Sequence, residues 1–459
     1  MTARSEEILA LARIGAVLLG ARTVVMQFVV LGGNVYLTRR LSPDDFGGFA
    51  VVQSALLFFE LLGDGGLGAA LVSSKEMPDR RTMSSVFWLQ AMLASGVVAL
   101  AWALADVMRR VWTAMPPEGP WLLRALSLTM LLTVLRTPCG IQMERRLQFG
   151  RIAVIDVVRR LVYFTVAVLL ARAGFGLKAL LAGVLAEATT AAILAYALSP
   201  FRPAWVLDRE RLGPIIRFGV AVQSRGFIGY VNGAITPLFA GALLGRHALG
   251  LNNWAQGFAY FPLEAVNIIS RVSYPVLSQI RDDAPALRRA LEQSMQGVAL
   301  VSCFFTGLVW GIGPAMVRVV YTDQWLPAMD VLLVYSTAMI VGTMSPLLAS
   351  ALDAIGRPGI VARLSAGWVT LNWIVVVVVM KLSPGLTHYA MAHCVHVVVG
   401  NVALLAIVQR QFPGLRTGRA FVTPVLAGLA VVAAGRLWLR GQVGGPFTLA
   451  AVVLAAAAL

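Results

Sequence analysis

RRLSPDDFGGFAVVQSALLFFELLGDGGLGAALV, residues 39–72, decides the fold. It opens on a short polar segment, RRLSPDDF at 39–46, and continues as a long apolar run interrupted by Gln53, Glu60 and Asp64. A bilayer core is about 30 Å thick and takes about 20 mainly apolar residues per helix. Residues 47–71 therefore read as one membrane crossing. At about 100° per residue the three polar side chains lie within about 40° of one another, on a single face. A barrel strand is excluded, because barrel strands alternate apolar and polar residues whereas this run is apolar all round.

The same reading extends over the whole chain. Its 459 residues are 58% hydrophobic and 13% charged, with a mean hydropathy of +0.78. Soluble domains carry about 25% charged residues, so lipid is the solvent here. Apolar runs of spanning length fall near 14–38, 47–71, 84–107, 121–141, 152–172 and 177–199, then near 213–240, 250–272, 290–313, 326–348, 360–380 and 386–408, with two more near 420–439 and 446–459. The fold class is an all-α polytopic membrane protein of about 14 helices. The first and seventh runs are the longest and contain glycine or proline, so bends are expected in them. The opening MTARSEEILALAR (1–13) is polar and amphipathic, and does not read as a cleavable signal.

The connections are short and hold no soluble domain, which argues against an attached glycosyltransferase or ATPase module. Cys139, Cys303 and Cys394 are widely spaced in apolar sequence and read as small packing residues. No P-loop, metal-ligand cluster or nucleophilic triad is present, so no catalytic residue, cofactor or metal is expected. The formal charge of +16 would suggest nucleic acid in a soluble protein. In a membrane protein it is first a topology signal. Of the 38 basic residues, 21 fall on the side of the N-terminus, 11 on the other, and six lie within spans: Arg22, Arg136, Arg159, Arg160, Arg225 and Arg436. The bias places both termini in the cytoplasm, with no nucleic-acid partner. Trp112, Trp121 and Trp325 fall where the outer interface is expected.

Six helices per half make two halves of equal orientation, 1–205 and 206–412, followed by helices 13 and 14 at 413–459. Displacing the chain by 203 residues superposes Arg22 on Arg225, Gln53 on Gln256 and Asp64 on Asn267. Overall identity between the halves is near chance, so the matches at polar residues inside apolar helices carry the comparison. Such residues are costly in lipid, by about 2.5–3.5 kcal/mol for a charge at the bilayer centre on insertion scales, and face a cavity or another helix. The eighth helix continues the pattern with Asn253, Gln256, Tyr260, Glu264, Asn267 and Arg271 on one stripe. The residues leave two readings of these stripes open: facing walls of an aqueous cavity, or hydrogen bonds between helices. Asn232 shares a face with Arg225, and Asp156 can neutralise Arg159 or Arg160 at i,i+3 or i,i+4. Guanidinium groups bind phosphate oxygens in bidentate fashion. The candidate substrate contacts are accordingly Arg22, Arg225, Arg136, Arg159, Asn232, Gln53, Gln256 and Asn267. Glu60, Asp64 and Glu264 are the candidates for coupling to a proton or sodium ion. His388, His393 and His396 read as helix-packing residues.

These motifs resemble the Wzx-type oligosaccharide flippases of the polysaccharide transporter family. That family shares a superfamily with the multidrug and toxin extruders and the lipid II flippase. The resemblance rests on Arg39, Leu41, Pro43, Asp45, Phe46 and Gly47, then Asp64, Gly66, Leu67 and Ala70. It continues through ERRLQFGRIAVID (144–156), LGRHALGLNNWAQ (244–256), YPVLSQIRDD (274–283) and ALDAIGRPG (351–359) in order. It implies two six-helix lobes around a central cavity. It also implies flipping of an undecaprenyl-pyrophosphate-linked oligosaccharide across the bacterial inner membrane by alternating access, for surface polysaccharide such as O-antigen, capsule or exopolysaccharide. The implied partners are that glycan, the bilayer, a coupling proton or sodium ion, and the polymerase and chain-length proteins of the pathway. Two alternatives stand beside it. An ion-coupled multidrug or cation extruder of the same superfamily requires a net acidic cavity. A polytopic polysaccharide polymerase or ligase requires a large outer loop, and the outer connections here are short.

Overall fold

A computed structural model of the chain describes residues 25–64, 66–68, 71, 79–199, 201–233, 235–263, 266, 280 and 283–441. The expected span at 446–459 lies outside them. The helices in order are α1 (25–40), α2 (Pro43–Asp64), α3 (Arg80–Val111), α4 (Gly119–Arg145), α5 (Phe149–Arg172), α6 (Leu177–Leu198), α7 (Arg209–Gly233) and α8 (Ile235–Ala259). They continue as α9 (Ala284–Met316), α10 (Met329–Gly342), α11 (Ser345–Ala354), α12 (Pro358–Leu382), α13 (Leu386–Gln411) and α14 (Thr417–Gly441). No strand occurs among the described residues, and nine stretches of helix there are long and apolar enough to cross a membrane. The chain is an all-α, multi-pass membrane protein. It divides into two compact units, Met1–Leu249 and Gly250–Leu459.

Three local departures from the expected spans have identifiable causes. The connection expected between 240 and 250 contracts to a single break at Gly245, whose φ of 83° is open to glycine and strained for other residues. The span expected at 326–348 is a 3₁₀ turn (Asp323–Ala328), then α10 and α11. Pro314 sits inside α9, lacks a backbone N–H, and is followed by a π turn over Val317–Tyr321.

In the first unit the core is built on α2. Val52, Ala55, Leu56 and Phe59 are buried against Leu122, Leu123, Leu126 and Met130 of α4. The polar stripe of α2 is turned about 120° from that face, which leaves Gln53 and Glu60 only partly buried. The start of α2 is a reciprocal cap. The Ser42 N–H and hydroxyl both donate to Asp45 Oδ2 (2.9 and 2.8 Å), the Asp45 N–H returns to Ser42 Oγ (3.2 Å), and Pro43 holds the first helical position. The other Asp45 oxygen accepts the Leu177 N–H at 3.1 Å, which ties this loop to the start of α6.

The connections gather at two ends of this unit, as alternating crossings require. At one end Lys178 pairs with Glu118 at 3.2 Å, and Asp44 meets Arg246 (3.1 Å) and His247 (2.7 Å), directly after the Gly245 break. At the other end Asp79 caps α3 through the Thr82 N–H and pairs with Arg211 at 2.6 Å, while Arg151 donates to Leu198 O. Hydrogen bonds to Thr82 and the Arg211 guanidinium hold the Asp79 carboxyl down at about 2.

In the second unit α9 and α14 pack at close range through small residues. A Cβ on Gly307 would lie 2.6 Å from Gly428 O, and one on Gly428 would lie 2.8 Å from Cys303 O. Gly307 and Gly311 form the GxxxG spacing that lets transmembrane backbones approach closely. A second cluster joins Leu291 and Met295 of α9 to Leu347 and Leu348 of α11 and to Leu404 and Val408 of α13. Trp121 is well exposed, as an interface residue should be, but Trp325 is fully buried. Its ring packs 5.4 Å from Trp254, so it is a core aromatic and not an interface anchor.

Candidate functional site

Glu60, Arg136 and Arg159, three of the charged residues expected within spans of the first unit, border one space beside α2. Glu60 is shared by two pockets. One, of about 270 Å³, is lined also by Gln90 of α3 and by Thr133 and Thr137 of α4. The other, of about 200 Å³, brings Glu60 together with Arg136 of α4, Arg159 of α5 and Glu187 of α6. The α4 wall is polar at low cost. Thr133 and Thr137 donate their hydroxyls to the carbonyls of Thr129 and Thr133, each at 2.9 Å, just before the interior Pro138.

Arg159 is the hub of an ion-pair cluster. Its Nε donates to Asp156 at 2.9 Å and one terminal nitrogen donates to Glu187 at 2.9 Å. Arg160 reaches the other Glu187 oxygen at 3.4 Å and lies over the Tyr163 ring. The i,i+3 pairing of Asp156 with Arg159 was legible in the sequence; Glu187, on the next helix, was not. Arg159 therefore lines the pocket with its charge already compensated twice. Arg136 and Glu60 have no ion-pair partner among the described residues, although both border the same space.

Helix α7 runs antiparallel beside α2. The Tyr230 hydroxyl donates to Ser54 O at 3.3 Å, and the Gln223 amide donates to Leu61 O. Arg225 and Asn232 thus sit on α7 at the level of the polar stripe of α2. Asp64 is the last residue of α2. Arg22, Glu264 and Asn267 lie outside the described residues. Gln53 points a buried amide oxygen at no hydrogen-bond donor among the described residues.

The second unit holds a separate polar group. Gln256 on α8 is 3.4 Å from both the Tyr260 hydroxyl and His393 Nε2, and the last two are 3.4 Å apart. The His393 and His396 rings meet with centroids 4.6 Å apart. Nearby, Asn252 accepts from the buried Tyr335 hydroxyl at 2.9 Å. The sequence treated these histidines as packing residues, whereas the fold places His393 on Gln256. His388 is elsewhere, 3.0 Å from Ser383. The Nδ1 atoms of both ring-paired histidines are buried without a hydrogen-bond partner among the described residues. An unsatisfied buried polar group costs about 1–3 kcal/mol, so this is a place for water or a bound ion.

Residues 36–330 match the polysaccharide biosynthesis protein family. The succinoglycan biosynthesis transport protein ExoT of Rhizobium meliloti is 28% identical over 301 residues, 64% of this chain and 60% of that protein. The teichuronic acid biosynthesis protein TuaB of Bacillus subtilis is 23% identical over 84% of this chain and 79% of its own length. The lipopolysaccharide biosynthesis protein WzxC of Escherichia coli is 24% identical over 70% of this chain and 66% of its own. The chain thus spans less than two thirds of ExoT and about two thirds of WzxC. In three dimensions it is similar to the lipid II flippase MurJ in an inward closed conformation, with TM-score 0.75, 14% identity, and coverage of 96% and 97% of the two chains. An inward-facing multidrug resistance MATE family transporter gives TM-score 0.64 at 13% identity, covering 88% of this chain and 99% of that one. The fold is that of these transporters, and the chain belongs to the polysaccharide biosynthesis protein family, as a Wzx-type member.

Proposed function

We propose that the protein flips an undecaprenyl-pyrophosphate-linked oligosaccharide across the bacterial inner membrane by alternating access, with both termini in the cytoplasm. The observation that carries this reading is Arg136. It is a guanidinium within a membrane-spanning helix, it has no ion-pair partner among the described residues, and open space lies in front of it. An embedded cation in that position suits a pyrophosphate or an acidic sugar, which a guanidinium grips through two parallel hydrogen bonds. The polyprenyl tail stays in lipid. Arg22, Arg225, Asn232 and Gln53 are further proposed substrate contacts, as are Gln256 and Asn267 of the second unit, and Arg159 contributes as part of its ion-pair cluster. Glu60, which borders the same pocket as Arg136, is the first candidate for coupling to a proton or sodium ion, and Asp64 and Glu264 are the other two.

The experiment is deletion of the gene followed by analysis of undecaprenyl-linked intermediates. Complete repeat units should accumulate on the cytoplasmic leaflet, and complementation with Arg22→Ala, Arg136→Ala or Arg225→Ala should fail although each variant inserts. Normal surface polysaccharide in all three variants overturns the basic-site reading. Accumulation of single, unpolymerised repeat units on the outer leaflet indicates a polymerase instead.

A further inference from the structure

A groove of about 530 Å³ lies between α12 and α13 of the second unit. It is lined by Gly367 on α12, by Ala403 on α13 and by the Trp368 indole, which lies directly over Gly400. Lining positions recur at three- and four-residue spacing on each helix, so a single face of each contributes. They cover 360–371 and 399–411, which is about 16–18 Å at about 1.5 Å per residue. That length matches one leaflet, half of a hydrocarbon core of about 30 Å. The groove is apolar along its length and basic at one end only. Arg363, in the second turn of α12, and Arg410, in the last turn of α13, stand together there because the two helices form an antiparallel hairpin. Both side chains are exposed, and neither has an acidic partner among the described residues. Arg363 donates its Nε to Gly359 O at 3.2 Å, and its terminal nitrogens have no hydrogen-bond partner among the described residues.

We propose that this groove binds an anionic glycerophospholipid, with one acyl chain along Gly367, Trp368 and Ala403 and the headgroup phosphate held between Arg363 and Arg410. A phospholipid is favoured over the transported lipid because the groove is one leaflet long, whereas a polyprenyl chain is much longer. The inference is independent of the transport reading, since the site faces lipid and shares no residue with the pockets around Glu60.

The test uses the full-length protein, delipidated and reconstituted with phosphatidylglycerol or phosphatidylcholine of identical acyl chains, with retained lipid counted by native mass spectrometry. Two arginines near an anionic surface, at about 1 kcal/mol each, give about a 30-fold preference for phosphatidylglycerol. Arg363→Gln/Arg410→Gln should reduce that preference to within about threefold, and about 0.5 M salt should weaken it. Ala403→Leu should lower retention of both lipids together, because it fills the acyl track and leaves the arginines in place. Equal retention of the two lipids by the unmodified protein overturns the proposal, as does a preference that survives in the double variant. Displacement of phosphatidylglycerol by equimolar undecaprenyl phosphate also overturns it, by assigning the groove to the transported lipid.

Discussion

Glu187 should be the residue whose loss most damages the first unit, and the geometry sets the size of the effect. It neutralises Arg159 and Arg160 together, at 2.9 and 3.4 Å, with side-chain exposures of 13% for Glu187, 24% for Arg159 and 31% for Arg160. Removing one partner of a fully buried pair costs about 3–5 kcal/mol, because an uncompensated charge remains. Partial exposure here reduces that to about 2–3 kcal/mol for Glu187→Met, since some water reaches the stranded guanidinium groups. The double variant Arg159→Met/Glu187→Met should behave differently. It leaves Asp156 and Arg160, four residues apart on α5 and able to pair. Replacement of an ion pair by apolar groups of similar volume is close to neutral. The double variant should therefore lie within about 1 kcal/mol of the unmodified protein, with a coupling energy of at least about 2 kcal/mol. The assay follows from the cysteines. Cys139, Cys303 and Cys394 are all free and buried, so a thiol-reactive fluorophore reports unfolding on heating in detergent. Membrane proteins commonly unfold irreversibly, so all variants are heated at one rate. About 2–3 kcal/mol should lower the midpoint by several degrees in a unit of this size. A double variant as unstable as the sum of the two single ones would falsify the hub role of Glu187.

Four further outcomes are expected. Gly307→Leu and Gly428→Val should each lower the unfolding midpoint by several degrees, because the new side chain meets a backbone carbonyl across the α9–α14 contact; Gly96→Ala, with no atom within 4 Å of its Cβ, should leave it unchanged. Asp79→Ala should cost about 1 kcal/mol of cap energy at neutral pH, read as faster amide exchange in the first turn of α3. Because the folded Asp79 carboxyl sits at about 2, below its ordinary value, that contribution is complete above about pH 4 and disappears as the pH falls through about 2, so the difference between variant and parent should close over that interval. Asp44→Arg should break both contacts beside Gly245 and Arg246→Asp should break one of them, with less than about 1 kcal/mol lost by either because the groups are exposed; the charge-swapped double variant should regain part of that loss in the unfolding midpoint, and failure of that rescue shows that the Asp44–Arg246 pair contributes nothing measurable.

The membrane character, the succession of crossings and the two ends at which connections gather all follow from hydropathy, length and charge. Each is a one-dimensional property: lipid demands about 20 apolar residues per helix and an even alternation of loops. The polar stripe on α2 was equally legible, because Gln53 and Glu60 share a face through helical periodicity alone. What periodicity cannot supply is the identity of the neighbour on another helix. Only the packing of α5 on α6 shows that Glu187 compensates Arg159 and Arg160, and so separates them from Arg136, which the sequence had grouped with them. Only the fold brings Gln256 to His393, more than a hundred residues away, and buries Trp325 against Trp254 where an interface was expected. The lipid-sized groove, too, exists only because the α12–α13 hairpin sets Arg363 and Arg410 at one end of an apolar track. The sequence by itself determined where the chain meets lipid. The tertiary structure decided which embedded charges neutralise one another, because a charge is compensated within about 4 Å through space, and distance along the chain does not measure that.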